Sequence, residues 1–220
     1  MSLLEPFSKP RWQHHKPEVR LAAVDELDDM SVLLEILQTD DDPAVRSRAL
    51  SRIEAGDKLD QLIDEPPDSL TAELRQQARS QRLQQILTDN GSLPDGADDA
   101  LLVRITYLAD DPELISAAVG RVVDIKVRMD LATNHPVARA RLSAAQTIGD
   151  IDRLQTLMQQ TKHKDKAVFR HCRERVDEHL AAQRQQEECR EKLIKLAEDA
   201  ADLRVAVDSP DYRARFMALQ

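Results

Sequence analysis

Four stretches of the chain, KPEVRLAAVDEL, DPAVRSRALSRI, DPELISAAVGRV and SPDYRARFMALQ, share a proline, a bulky apolar residue two places on, and an apolar pair five to seven places on. Pro17, Pro43, Pro112 and Pro210 occupy the equivalent place. A fifth copy, ARARLSAAQTI, aligns Arg141, Leu142, Ala144, Ala145 and Ile148 with Arg20, Leu21, Ala23, Val24 and Leu27, its Pro136 lying two places early. A pattern that recurs five times restricts the chain to architectures made by repetition.

The spacing has a physical reading. Asp or Ser before Pro is a helix cap followed by proline at the first helical position, where its missing N–H costs nothing. Val19, Ala22, Ala23 and Leu27, like Val45, Ala49, Leu50 and Ile53, recur at helical steps and give each helix one apolar stripe. A second helix follows in each full copy: SVLLEILQ, DKLDQLI, DIKVRMDLA and DIDRLQTLM. Leu33, Leu59 and Leu154 are equivalent there, and Ile36, Leu62, Leu131 and Leu157 lie one turn on. A helix pair this short cannot bury its own stripe and must stack on its neighbours. The expected fold is therefore all-α, an α-solenoid of short antiparallel helix pairs with a long helical segment near the C-terminus. Composition agrees, since aromatic residues make up 3% and there are 5 glycines in 220 residues, too few for sheet and turn chemistry.

The repeats resemble the HEAT-like, armadillo-type family, in which a proline opens the first helix and a basic residue follows it. Arg20, Arg46, Arg141 and Arg213 match that pattern, and Ile115 departs from it in the DPELISAAV copy. Pro17 and Pro43 are 26 residues apart, closer than the roughly 40–47 of HEAT and armadillo arrays. More narrowly, the chain looks like the N-terminal part of large bacterial proteins of unknown function with further charged domains downstream. The resemblance implies no activity.

This gives five segments: repeats one and two over 1–64, an enlarged helical pair with a loop over 65–110, repeats three and four over 111–161, a long charged helical segment over 162–208, and the start of a further repeat over 209–220. In the second of these, SLTAELRQQARSQRLQQILTD reads as a helix capped at Ser69, and NGSLPDG as a loop. In the fourth, Val168, Cys172, Val176 and Leu180 form one apolar stripe and Leu193, Leu196, Ala200 and Leu203 a second, with AAQRQQEE between them as a bend or an exposed bridge. The last segment has the stripe Tyr212, Phe216, Met217 and Leu219 without a partner helix, which is expected of a piece of a longer protein and leaves a surface able to self-associate.

Net charge is −9, which as a whole repels nucleic acid and anionic membranes. One stretch reverses the sign: between Pro136 and Val176 nine basic residues face four acidic ones, net +5, leaving −14 for the remainder. Arg139, Arg141, Lys162, Lys164, Lys166, Arg170 and Arg173 are the candidate partner- or nucleic-acid-binding residues there. The competing reading is that these charges are solvated or paired with acidic neighbours, since no aromatic residues interleave for base stacking.

Other candidates carry less. His163, His171 and His179 are eight apart, whereas a helical metal pair wants three or four. Cys172 reads as a small core residue. The acidic clusters DELDD, TDDDP, DGADD and ADDP read as helix caps, because none has the Gly and Glu positions of a calcium loop. Trp12, with His14 and His15 beside it, reads either as a partner anchor or as an apolar lid on the first repeat. Neither a nucleophile elbow nor a phosphate-binding Gly-rich loop occurs, so no enzyme activity, cofactor or metal is expected. Two cysteines and no apolar run of membrane-spanning length point to a cytoplasmic protein. The expected function is a protein-interaction scaffold that takes a protein or peptide ligand on the concave face, with nucleic-acid or ribosome binding through 139–175 as the alternative.

Overall fold

The computed structural model describes the backbone of residues 9–208 and 210–218, and the side chains of 9–201 and 210–218. Among these residues there is no strand. A short 3-10 turn, Arg11–Gln13, is followed by twelve α-helices: α1 Pro17–Asp25, α2 Met30–Thr39, α3 Pro43–Ser51, α4 Gly56–Asp64, α5 Ala72–Ile86, α6 Asp99–Leu108, α7 Pro112–Arg121, α8 Ile125–Asn134, α9 Ala138–Gln146, α10 Ile151–Thr161, α11 Lys166–Asp208 and α12 Pro210–Met217. The chain divides into two compact units, Met1–Leu131 and Ala132–Gln220.

Capping fixes where the helices start. Proline is at the first position of α1, α3 and α7, as the repeat spacing requires. Asp42 accepts the N–H groups of Ala44 at 2.8 Å and Val45 at 3.2 Å at the start of α3. Asp29, Asp98, Asp111 and Asp150 cap α2, α6, α7 and α10 in the same way. The acidic clusters are thus largely caps, as the sequence suggests. The cap of α5 is Thr71 and not Ser69. Pro66 and Pro67 hold the preceding chain in a turn closed by Leu70 N–H to the Pro67 carbonyl, which delays the helix by two residues.

In the first unit neighbouring helices pack together, α2 on α3, α4 on α5 and α6 on α7, while α1 also packs on α3, α3 on α5 and α5 on α6. Helices stacked this way share one core. Val24, Leu33, Ile36, Leu37, Val45, Ala49, Leu50, Ile53, Leu59 and Leu62 form a continuous buried cluster, which Leu70, Leu74 and Ala78 extend into α5. The leucines placed as equivalent from sequence are all inside: Leu33, Leu59 and Leu154 are at most 2% exposed. In α1 the inward pair is Ala23 and Val24, while Ala22 points out, because a 3.6-residue turn puts one of three successive residues on the far side. Trp12 packs half-buried against this core, as its reading as a lid requires. The loop after α5 turns at Gly91 and Gly96, whose φ values of 71° and 72° suit glycine.

In the second unit α10 and α9 both pack on α11. Val168, Cys172 and Val176 are buried there, and Leu180 is 39% exposed. The AAQRQQEE stretch is an exposed bridge with no break in the helix. From Ala181 to Ala201 every side chain is exposed. Tyr212, Phe216 and Met217 are exposed on α12, while Leu203 and Leu219 lie outside the residues whose side chains are described.

Candidate functional site

The candidate basic residues cannot be judged until the structural use of arginine in this chain is clear. The arginine at the fourth position of a helix does one job at Arg20, Arg46, Arg75, Arg128 and Arg141. Its guanidinium bends back to a carbonyl that precedes its own helix, and that of Arg46 also reaches forward to the turn ahead of α5. Arg46 donates from Nε to the Leu37 carbonyl at 2.7 Å and from Nη2 to the Ser69 carbonyl. Arg75 reaches the Leu70 carbonyl at 3.0 Å, and Arg128 reaches the Val122 carbonyl at 2.6 Å. In α7 the same place holds Ile115, which is 2% exposed and serves the core instead.

Arg20 and Arg141 carry this further, and their surroundings match. Arg20 donates from Nη1 to the His14 carbonyl at 3.0 Å and forms a bidentate pair with Asp40, Nε to Oδ2 at 2.7 Å and Nη2 to Oδ1 at 2.8 Å. Arg141 donates from Nη1 to the His135 carbonyl at 2.7 Å and from Nε to Asp165 Oδ2 at 2.7 Å. In both places the histidine Nδ1 accepts the N–H two residues on, from Lys16 and from Val137, each at 3.1 Å. In both, the aspartate also ties down the start of the next helix, Asp40 accepting from Asp42 N–H and Asp165 from Ala167 N–H, each at 2.9 Å. A His, an Arg six residues later and an Asp in the turn beyond the next helix therefore form one latch, used once in each unit. The latch joins the entrance of one helix to the turn two elements on.

The electrostatics follow. Burial pushes the Asp40 and Asp165 carboxyls up, but the paired guanidinium and the donated N–H groups outweigh it, so both sit below the usual aspartate range. Asp60 behaves likewise: Arg82 grips it with bonds of 2.9 and 3.0 Å, and Arg104 adds one of 2.8 Å while holding Asp64 at 2.5 Å. This network joins α4, α5 and α6. A Cβ at Gly56 would lie 3.0 Å from the Arg82 guanidinium, which packs directly over the glycine.

Of the seven candidate residues, Arg141 is withdrawn, since its guanidinium is consumed by the latch. Arg173 lies on exposed α11 and pairs with Asp177 at 3.5 Å. Lys162 and Lys164 are exposed in the turn between α10 and α11, Lys166 begins α11, and Arg170 follows one turn later. Arg139 is exposed on α9. Among the described residues no acidic side chain pairs with these five. Arg153 and Arg175, also in the basic stretch, pair with Asp150 at 3.8 Å and Glu178 at 3.5 Å.

The remaining candidates fall into structural roles. Cys172 is buried, and burial pushes its thiol up to about 11, which keeps it protonated at neutral pH. His171 is held below the ordinary imidazole range by burial and then by the nearby Arg175. His179 hydrogen-bonds Gln183 at 2.9 Å. Among the described residues no group of three His, Cys, Asp or Glu side chains could hold a metal ion, and no helix is long and apolar enough to cross a membrane. The hollows are open and shallow; the one between the start of α10 and α11, 490 Å³, is lined by Asp150, Asp152, Gln155, His179 and Gln183.

The latches were missed in the sequence except for their two arginines, Arg20 and Arg141. The signal was present as the six-residue spacing from His14 to Arg20 and from His135 to Arg141. No family model matches the chain, and no curated protein or solved structure matches it either.

Proposed function

We propose that the chain is a non-catalytic protein-interaction scaffold built of HEAT-like hairpins, working in a reducing compartment such as the cytoplasm and presenting one helix of each pair to a protein or peptide ligand. The observation that carries this reading is where the charge goes. Arg20, Arg46, Arg75, Arg128 and Arg141, with Asp40, Asp60 and Asp165, close and join hairpins, which is the work of a rigid display surface. Function is argued here from architecture, the link that repeat proteins make most directly.

A second reading is favoured by a separate observation: Arg139, Lys162, Lys164, Lys166 and Arg170 are exposed without acidic partners among the described residues, as a phosphate-backbone contact requires. The two readings separate in one experiment. Labelled single- and double-stranded oligonucleotides are titrated with the chain at low and physiological salt, beside the variant Lys162→Glu/Lys164→Glu/Lys166→Glu. The scaffold reading expects no salt-dependent binding. Affinity that falls with salt by a slope of about 0.9 per neutralised phosphate and is lost in the variant would replace it with the nucleic-acid reading.

A further inference from the structure

The second half of α11 carries an apolar stripe that does not belong to the packing of the repeats. At about 100° per residue, Val168, Cys172, Val176 and Leu180 point in one mean direction, and Cys189, Leu193, Leu196 and Ala200 point about 110° away from it. The first set faces α9 and α10. The second is uncovered: Leu193 is 66% and Leu196 63% exposed on a helix whose polar bridge lifts them clear of the repeats. A stripe rotated this far does not continue the face that the repeats cover.

Its spacing is that of a helix-pairing seam. The steps from Cys189 to Leu193, Leu196 and Ala200 are four, three and four, alternating heptad positions, and the sequence repeats them at Leu203 and Val207. The seam is complementary to itself when reversed. With two copies antiparallel and Leu193 facing the second copy's Leu196, Cys189 faces the second copy's Ala200, so a larger side chain meets a smaller one in each outer layer. The flanking positions then bring Lys192 beside the second copy's Asp199 twice, once on each side of the twofold axis, while Arg190 meets the second copy's Ala197 and no like charges oppose.

We propose that the exposed half of α11 is a self-association surface that pairs with a second copy of this chain as an antiparallel two-helix coil centred between Leu193 and Leu196. The proposal is independent of the scaffold reading and of the basic stretch. The two-fold axis leaves the repeats of the two copies at opposite ends of the coil.

Sedimentation equilibrium over a wide concentration range tests it on the full chain. A reversible dimer is expected, weakened about 100-fold or more by Leu193→Asp/Leu196→Asp. Because both leucines are exposed, the thermal melt followed by circular dichroism at concentrations where the wild type is monomeric stays as in the wild type. Orientation is read by oxidation with copper-phenanthroline: Ala200→Cys expects an interchain disulfide to the native Cys189, and the wild-type chain none, since Cys172 is buried. A monomer at every concentration overturns the proposal, as does a dimer unaffected by the leucine changes. A wild-type disulfide through Cys189 would mean parallel helices and overturns it as well.

Discussion

A buried guanidinium–carboxylate pair is costly to break from one side. Arg20 and Asp40 side chains are 13% and 6% exposed, so Arg20→Met leaves a nearly buried carboxylate facing carbonyls that have lost their donor. Unfolding followed by urea is expected to show a loss of about 1–3 kcal/mol, and Arg141→Met the same in the second unit. The sign of the acid response follows from the lowered carboxyls. The unfolded chain takes up the proton first, so the stabilisation from Asp40, Asp60 and Asp165 is complete above about pH 4 and is lost as pH falls through their lower folded values. Urea midpoints measured from pH 6 down to 3 should therefore fall more steeply in the wild type than in Asp40→Asn/Asp165→Asn. A parallel fall in both would show that these carboxylates are not the ones that matter.

At the scale of the helix, the legible part was what repeats with the helical period. Pro17, Pro43 and Pro112 announced their helices, and the inward leucines of the second helices were placed correctly from spacing alone. The failures share a cause. Thr71 replaced Ser69 as a cap because the segment after the two prolines between α4 and α5 closes into a turn, Leu70 N–H to the Pro67 carbonyl, an effect with no periodic signature. Arg75 and Arg128 escaped notice because their partners are carbonyls, which every residue has. Arg141 was taken for a binding residue because Asp165, 24 positions away, gives no local sign of pairing. The caps themselves are simple: Asp42→Ala removes the acceptor for two N–H groups of α3, and thermal or urea unfolding should register about 1 kcal/mol of lost stability.

On the scale of the whole molecule, each helix meets neighbours one or two elements away in the chain, so damage should stay close to where it is made. Leu50→Ala empties a fully buried place in the first unit and is expected to cost about 2–5 kcal/mol. Amide exchange should then quicken in α1 to α5 and stay unchanged in α9 to α11. Quickening in both would show cooperativity across the units. The long-range organisation was partly readable for the same reason: a fold made of near-neighbour contacts writes its plan in consecutive stretches of sequence, whereas surface roles leave no such trace.

The latches also make the two edges of the first unit unequal. Along the edge where α2 turns into α3, the ties are Arg20 to Asp40 and Arg46 to the Leu37 carbonyl, both partly buried. Along the opposite edge, where α1 turns into α2, Arg48 reaches Asp25 and Arg52 reaches Asp28, pairs open to solvent with Asp28 96% exposed. Dissolved ions weaken the second set far more than the first. The unit is therefore bound like a book whose spine yields less to salt than its fore-edge, and that asymmetry gives any bending of the unit a preferred direction.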